Sequence, residues 1–385
     1  MGGYPLGSCS EKIDMNKANI DRVALFMPSL RGGGAERVMV ILANEFVARG
    51  FAVDLVLANA EGPYYKDVDK KINIVNLGAA RVLMSLPGLI KYLRTQKPSV
   101  MLSALNHANV VAIVAKLLAT VNTRLWVSEH NALTRSIQNR ALRRERWLPY
   151  WMSLLYPFAD GVIAVSNGVA DDLARTIKLP RNKIQVIYNP IYSEGLLQLA
   201  TEQIDDSCFS SFATPVLLAA GRLTEQKGFT VLIQAFRQLR KDRAARLVIL
   251  GDGEERSMLQ SLIDELGLND DVVLLGFKSN PIAYMKKATV FVLSSNWEGF
   301  GNVLVEAMAC GTAVISTDCP SGPSEILEGG KWGRLVAVGD ADALAYAIKE
   351  TLDETVHPDV AKRARDFSVC TSVDRYLSVM NLSIQ

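Results

Sequence analysis

The stretch Ala288 to Gly311, Ala-Thr-Val-Phe-Val-Leu-Ser-Ser-Asn-Trp-Glu298-Gly-Phe-Gly-Asn-Val-Leu-Val-Glu306-Ala-Met-Ala-Cys-Gly, passes from a strand into a helix. Ala288 to Leu293 is a short apolar run, and Val303, Leu304, Ala307 and Met308 then recur at helical spacing. Gly299 and Gly301 sit where one pattern becomes the other. In parallel α/β folds the carboxyl end of a strand and the amino end of the next helix face the ligand crevice, where helix N–H groups attract anions. Glu298 lies in the turn and Glu306 about two helical turns later. One carboxylate can then reach a ligand hydroxyl while the other braces a second part of the same ligand, which suits a polyol attached to a phosphate. Acids near a helix start are also common for their effect on the macrodipole alone. Two glycines that open the backbone to a ligand favour the site.

The same alternation runs through the whole chain. Strand patterns fall at Val23 to Met27, Ala52 to Leu57, Ile72 to Leu77, Val100 to Ser103, Arg124 to Ser128, Gly161 to Val165 and Ile184 to Ile187. A second series covers Val216 to Ala220, Arg246 to Leu250, Val272 to Leu275, Val290 to Leu293, Ala313 to Ser316 and Gly333 to Val336. Helical patterns separate most of them, so the expected fold is α/β, with two Rossmann-like doubly wound domains facing a cleft. A chain of 385 residues has room for two such cores. The expected division is a tail over 1–19, a first domain over 20–190, a polar linker over 191–214, a second domain over 215–360, and a helix over 361–385 packing back on the first domain.

Charge is divided unequally between the halves. Residues 1–190 carry 24 Lys+Arg against 14 Asp+Glu, whereas residues 191–385 carry 18 against 26. The first half is therefore the one expected to meet something anionic. Five cysteines form no metal-ligand spacing. The apolar run Val100 to Val121 is broken by Asn106, His107, Asn109 and Lys116, so it reads as a buried strand and helix rather than a membrane span. Residues 1–19 lack the apolar core of a secretory signal.

Further candidate groups follow other strands. Gly221 to Gly228 places Arg222 and Lys227 where both cations can converge on a diphosphate, though a solvated loop reads similarly by itself. Gly32-Gly33-Gly34 lacks the spacing of a dinucleotide fingerprint, which disfavours a nicotinamide enzyme. His130, in Ser-Glu-His-Asn, ends a strand where loops face a crevice. Asp340-Ala-Asp342 reads as a helix cap and first-turn acid, so no metal is expected. Arg135, Arg140, Arg143, Arg144 and Arg146 precede Trp147, Tyr150, Trp151 and Tyr156, as in an interfacial segment on anionic lipid. A solvated basic face with Trp and Leu in the core is the alternative. No nucleic-acid module is visible.

Taken in order, Gly32 to Glu36, Ser128 to His130, Tyr188 to Pro190, Gly221 to Gly228, Gly251 to Gly253 and Glu298 to Glu306 resemble the retaining GT-B glycosyltransferases with the Glu-x7-Glu signature, the family 4-like group. The resemblance spans about residues 22–380. It implies that Arg222 and Lys227 hold a donor diphosphate, Glu306 the ribose and Glu298 the hydroxyls of the transferred sugar. Gly33 and Gly34 would border the reaction centre, and His130 would lie near the anomeric carbon. The amides of Gly301, Asn302 and Val303 would meet phosphate, with Phe277 and Lys278 near the base. Catalysis would need no metal cofactor.

The arginine-rich stretch resembles that of membrane-associated enzymes that extend polyprenyl-diphosphate-linked saccharides. The implied donor is a nucleotide sugar, UDP-linked, and the implied acceptor a lipid-linked saccharide of a bacterial surface glycan. The implied location is peripheral, on the cytoplasmic face of the inner membrane. A nucleotide-sugar epimerase or hydrolase is disfavoured because a small soluble substrate needs no basic aromatic helix. A non-enzymatic binding module is disfavoured by the intact set of charged site residues.

Overall fold

Val23 to Met27 are wholly buried in strand β1 (Arg22–Met27), as happens when helices cover both faces of a parallel sheet. The computed structural model describes residues 21–134, 147–204, 206, 209 and 214–383. The expected tail, Arg135, Arg140, Arg143, Arg144 and Arg146, and part of the linker lie outside the described residues. Those described form two compact units, one of residues 21–190 with 369–383 and one of residues 191–368.

In the first unit β1 pairs with β2 (Ala52–Leu57) and β4 (Val100–Ala104), β2 with β3 (Asn73–Asn76), and β4 leads through β5 (Arg124–Glu129) and β6 (Gly161–Ala164) to β7 (Ile184–Val186). All pairs are parallel, in the order β3-β2-β1-β4-β5-β6-β7. In the second unit β8 (Val216–Ala220), β9 (Arg246–Leu250), β10 (Val272–Gly276), β11 (Val290–Leu293), β12 (Ala313–Thr317) and β13 (Arg334–Val336) are ordered β10-β9-β8-β11-β12-β13. Both orders reverse once, between β1 and β4 and between β8 and β11. Ligands of open parallel sheets bind at such reversals, outside the carboxyl ends of the strands. The doubly wound α/β architecture expected from the sequence is present in both units.

Two boundaries differ from expectation. Residues 191–204 are not wholly irregular: Glu194–Leu199 is a helix capped by Ser193 Oγ, which accepts from Leu196 N at 3.2 Å, and it buries Leu196 and Leu199. At the other end the chain returns to the first unit at Val369, not at 361. Val360–Ala364 is a separate short helix of the second unit, where Arg363 donates to Ile326 O at 2.9 Å and Phe367 meets Phe300 edge-on at 5.4 Å. Val369–Val379 then lays Val369, Val373, Tyr376 and Leu377 against the same core as Val38, Leu42 and Phe46 of helix Gly34–Ala48. Those four positions share one helical face, and each such burial is worth about 1.5–3 kcal/mol.

Asp54, which the sequence places inside a strand, is wholly buried there. It accepts from Arg22 Nη1 at 2.8 and 3.1 Å, Asn73 Nδ2 at 3.0 Å and the Tyr92 hydroxyl at 2.6 Å, joining β1, β2, β3 and helix Leu86–Gln96. Burial, and then this bond to Asp54, push the Tyr92 phenol well up. Asp54→Ala strands the Tyr92 hydroxyl and the Arg22 guanidinium. Because the Arg22 side chain is 39% exposed, the expected loss is at the lower end for a broken buried pair, about 2–4 kcal/mol in urea unfolding. A loss below about 0.5 kcal/mol, the scale of an ordinary surface substitution, would show that the cluster does not hold the sheet edge.

Candidate active site

The second unit builds its reversal from two loops that sequence separates widely. After β8 the chain turns through Gly221 and Arg222 into a short 3-10 turn, Glu225–Lys227, and starts helix Phe229–Asp242 at Gly228. Gly228 has φ +60°, and a Cβ there would lie 2.3 Å from the carbonyl oxygen of Ser294, just beyond β11. Only a residue without a side chain lets the two loops touch. Hydrogen bonds then join them: Ser294 Oγ to Lys227 O at 2.8 Å, Asn296 N to Gln226 O at 2.8 Å, and Gln226 Nε2 to Trp297 O at 3.0 Å.

Between these loops Lys227 Nζ donates to Glu298 Oε1 at 2.6 Å, and Ser295 Oγ donates to the same oxygen at 2.6 Å. Both charged side chains are largely buried, Lys227 at 16% and Glu298 at 8% exposure. A largely buried pair of this kind holds its geometry because either charge left alone would be costly. Arg222, directly after Gly221 in the same loop, is exposed and makes no hydrogen bond or ion pair among the described residues. The site thus presents one exposed, unpaired cation, one preset cation and one preset carboxylate at the carboxyl ends of β8 and β11.

Glu306 is buried at 1% exposure, on helix Asn302–Ala309, which follows directly from Gly301, so Asn302 and Val303 open that helix. Phe277 and Lys278 are not brought to the ion pair. They follow β10, the edge strand, with β9 between it and β8. Phe277 is 73% exposed, and Lys278 Nζ pairs with Asp206 at 3.1 Å. Asp340 caps helix Ala341–Asp353 by accepting from Ala343 N at 2.8 Å.

The loop after β12 was missed by the sequence reading. Gly322, at φ +95°, would carry a Cβ 1.9 Å from Phe300 O, so this loop closes on the Glu298 turn. Thr317 Oγ1 donates to Ser295 O at 2.5 Å from the same side. The Gly322-Pro323 pair at a helix start was the available signal. Cys319 in this loop is buried, and burial, assisted by the nearby Glu298 charge, pushes its thiol up to about 12. It is protonated and chemically quiet.

In the first unit Gly33 and Gly34 open helix Gly34–Ala48 after β1, beside the reversal. His130 follows β5, is buried, and has Nε2 3.1 Å from Ser128 Oγ. Burial lowers it to about 4, so the ring is neutral at physiological pH. It can hydrogen-bond or shape a site there, but it does not carry a standing positive charge. Trp147 and Trp151 are exposed at 67% and 49%, on or beside helix Leu148–Leu155, whose one buried residue is Met152. They are therefore outside the core. Leu83 and Met84, on an element packed near the same region, are exposed too. Among the described residues no helix is long and apolar enough to cross a membrane.

Two family models match the chain, one described as Glycosyl transferases group 1 over residues 209–367 and one as Glycosyltransferase Family 4 over residues 32–194. The chain is 32% identical over 345 residues to an N-acetylgalactosamine-N,N'-diacetylbacillosaminyl-diphospho-undecaprenol 4-alpha-N-acetylgalactosaminyltransferase of Campylobacter jejuni, covering 87% of this chain and 91% of that protein. It is 28% identical over 364 residues to the lipopolysaccharide core biosynthesis glycosyltransferase LpsE of Rhizobium meliloti, covering 91% and 96%. In fold it is similar to a sucrose-phosphate synthase from Thermosynechococcus elongatus, with TM-score 0.80, 21% identity and coverage of 94% and 98%. Anabaena HepE, solved in complex with UDP-glucose, gives TM-score 0.76 at 21% identity with coverage of 94% and 99%.

Gly228→Ala forces a side chain both into the left-handed region and into Ser294 O. It is expected to cost more than about 2 kcal/mol in denaturant unfolding. A variant as stable as wild type would mean that the two loops are not welded at this point.

Proposed function

We propose a finer activity for this chain, which belongs to the family 4 glycosyltransferases and has their GT-B fold. It is a retaining enzyme that moves a hexose or N-acetylhexosamine from a UDP-linked donor to a polyprenyl-diphosphate-linked saccharide. The observation that carries this reading is the Lys227–Glu298 pair at the reversal between β8 and β11. A cation for phosphate and a carboxylate for hydroxyls stand within one hydrogen bond of each other, as a sugar joined directly to a diphosphate requires. The diphospho-undecaprenol substrate in the name of the Campylobacter relative supports the acceptor class.

On this reading the donor diphosphate draws Lys227 and Arg222 to itself, and Glu298 is released to the sugar hydroxyls. Glu306 takes the ribose, and the amides of Gly301, Asn302 and Val303 face the phosphate. A base extending past β9 arrives at Phe277 and Lys278. The bond from the anomeric carbon to the diphosphate oxygen breaks as the acceptor oxygen bonds the same face of that carbon. The acceptor proton passes to the departing diphosphate. Catalysis is chiefly stabilisation of that leaving group by Arg222 and Lys227, without a metal cofactor. His130, neutral, serves the acceptor side in the first unit together with Gly33 and Gly34.

The acceptor lipid places the enzyme peripherally on the cytoplasmic membrane face. Trp147 and Trp151 enter the interfacial layer, and the arginines of 135–146 meet anionic headgroups.

Arg222→Ala and Lys227→Ala are each expected to lower turnover about 10²- to 10³-fold, assayed with a panel of UDP-sugars and a lipid-diphosphate acceptor. Unchanged turnover would remove the donor assignment. Trp147→Ser combined with Trp151→Ser is expected to weaken sedimentation with anionic vesicles by about ten-fold or more while sparing donor binding. Equal sedimentation of variant and wild type would contradict the membrane contact.

A further inference from the structure

A buried carboxylate with no cation paired to it among the described residues lies beside His130, and the reaction above does not use it. Glu129, the last residue of β5, is 1% exposed. Its Oε1 accepts from the Tyr156 hydroxyl and from Asn109 Nδ2 at 2.9 Å. Asn109 Nδ2 also donates to Ser128 O at 3.0 Å. A backbone carbonyl can only accept, so this bond fixes which end of the amide is nitrogen. Two oxygens of the cluster, Glu129 Oε2 and Asn109 Oδ1, are buried with no hydrogen-bond partner among the described residues.

Among the described residues, the elements packed around β5 bring no compensating charge. Helix Asn106–Ala119 contributes Asn109, while its Lys116 pairs with Asp160. Helix Leu148–Leu155 leads into Tyr156. Helix Val369–Val379 brings the Tyr376 phenol toward Ser128, and burial pushes that phenol up to about 12. β4 contributes the buried Ser103, β6 contributes Gly161 to Ala164, and His130 is neutral.

One carboxyl oxygen that accepts twice, beside one that lacks a donor, is the pattern of a neutral acid: the carbonyl oxygen accepts and the hydroxyl oxygen donates. We infer that Glu129 is kept as the uncharged acid, with its proton on Oε2 and Asn109 Oδ1 the acceptor open to it, and that the Glu129–Tyr156–Asn109 cluster positions His130. Glu129 is a positioning residue, since it acts through the strand end that carries His130. The positioning half rests on the proposed use of that strand end by the acceptor, and the protonation half does not.

Burial pushes Glu129 up to about 7, outweighing the two hydrogen bonds that pull it down. The direction of the pH effect follows. Above about 7 the proton leaves and an unpaired charge remains inside the unit, so turnover falls on the alkaline side. The folded value exceeds the ordinary 4.5 of a free glutamate, so the unfolded chain loses its proton first and Glu129's stabilising contribution declines as pH rises from 4.5 to about 7. His130 acts oppositely, since its folded value of about 4 lies below 6.5 and its contribution grows with pH across that window. The two slopes oppose each other in wild type, so the test reads differences between wild type and variant.

The test uses the whole chain as wild type, Glu129→Gln, Glu129→Ala and Tyr156→Phe. Infrared difference spectra of wild type against Glu129→Gln should show a protonated-carboxyl C=O stretch at about pH 6 that is lost by about pH 8.5, and Tyr156→Phe should move that loss to higher pH. With UDP-sugar and lipid-linked acceptor, Glu129→Gln should stay within about three-fold of wild type at about pH 6 and lack the alkaline fall. Glu129→Ala should lose about ten- to hundred-fold in kcat with donor KM unchanged. Absence of the carboxyl band overturns the protonation half. A band with identical pH profiles in wild type and Glu129→Gln overturns the positioning half. An intact band in a wild-type chain that turns over no donor supports the neutral acid and contradicts the proposed activity instead.

Discussion

The second unit depends on the 2.6 Å contact between Lys227 and Glu298, because it fixes two loops that lie 71 residues apart in the chain. Parallel strands cannot place functional groups by themselves, since their side chains are consumed by the helices on both faces. The loops at the carboxyl ends carry the chemistry, and a loop positions a charge well only if something holds the loop. Here a glycine removes the steric barrier between the two loops, hydrogen bonds to backbone carbonyls join them, and the ion pair links their side chains. Ser295 adds a second donor to the Glu298 oxygen that Lys227 holds. A crevice with its charges preset would need little rearrangement beyond exchanging one anion for another to take the diphosphate of the proposed donor.

The first unit uses polarity differently. Around its β5 end stand Glu129, Ser128, His130, Asn109 and Tyr156, all buried and joined by hydrogen bonds, without a compensating cation among the described residues. Charge is avoided there: burial raises the acid and lowers the imidazole, so both neighbours favour the neutral form. A strand end without fixed charge suits an acceptor hydroxyl, while the cation-bearing crevice of the second unit suits a charged donor.

The strands were legible in the sequence. Every strand pattern lies within about one residue of the element observed, and β2, β8, β9 and β11 coincide at both ends or nearly so, because strands buried on both faces read as unbroken apolar runs. The glycine turn before helix Asn302–Ala309 was legible for a related reason, a change of period across a pair of glycines. Pairings between distant residues were not. Nothing in Gly221 to Gly228 indicates that Lys227 bonds Glu298, and nothing in Ser128-Glu129-His130 indicates that Tyr156 and Asn109 enclose Glu129. The loop closed by Gly322 was missed because its role lies in contact with Phe300 O, which no local pattern encodes. The return to the first unit at Val369 was placed too early because Val360–Ala364 and Val369–Val379 both look helical, and what keeps the earlier piece in the second unit is contact with distant residues, Arg363 with Ile326 O and Phe367 with Phe300.

The most direct test of the central claim is calorimetric titration of wild type and Glu298→Gln with UDP alone and with the intact UDP-sugar. If Glu298 is a sugar-binding carboxylate that occupies Lys227 only until a donor arrives, the variant frees the lysine. UDP should then bind as well as to wild type or more tightly, while the advantage of the intact sugar nucleotide over UDP disappears. Equal weakening of both ligands would contradict this account, because it would make Glu298 a structural brace of the loop rather than a group reserved for the sugar.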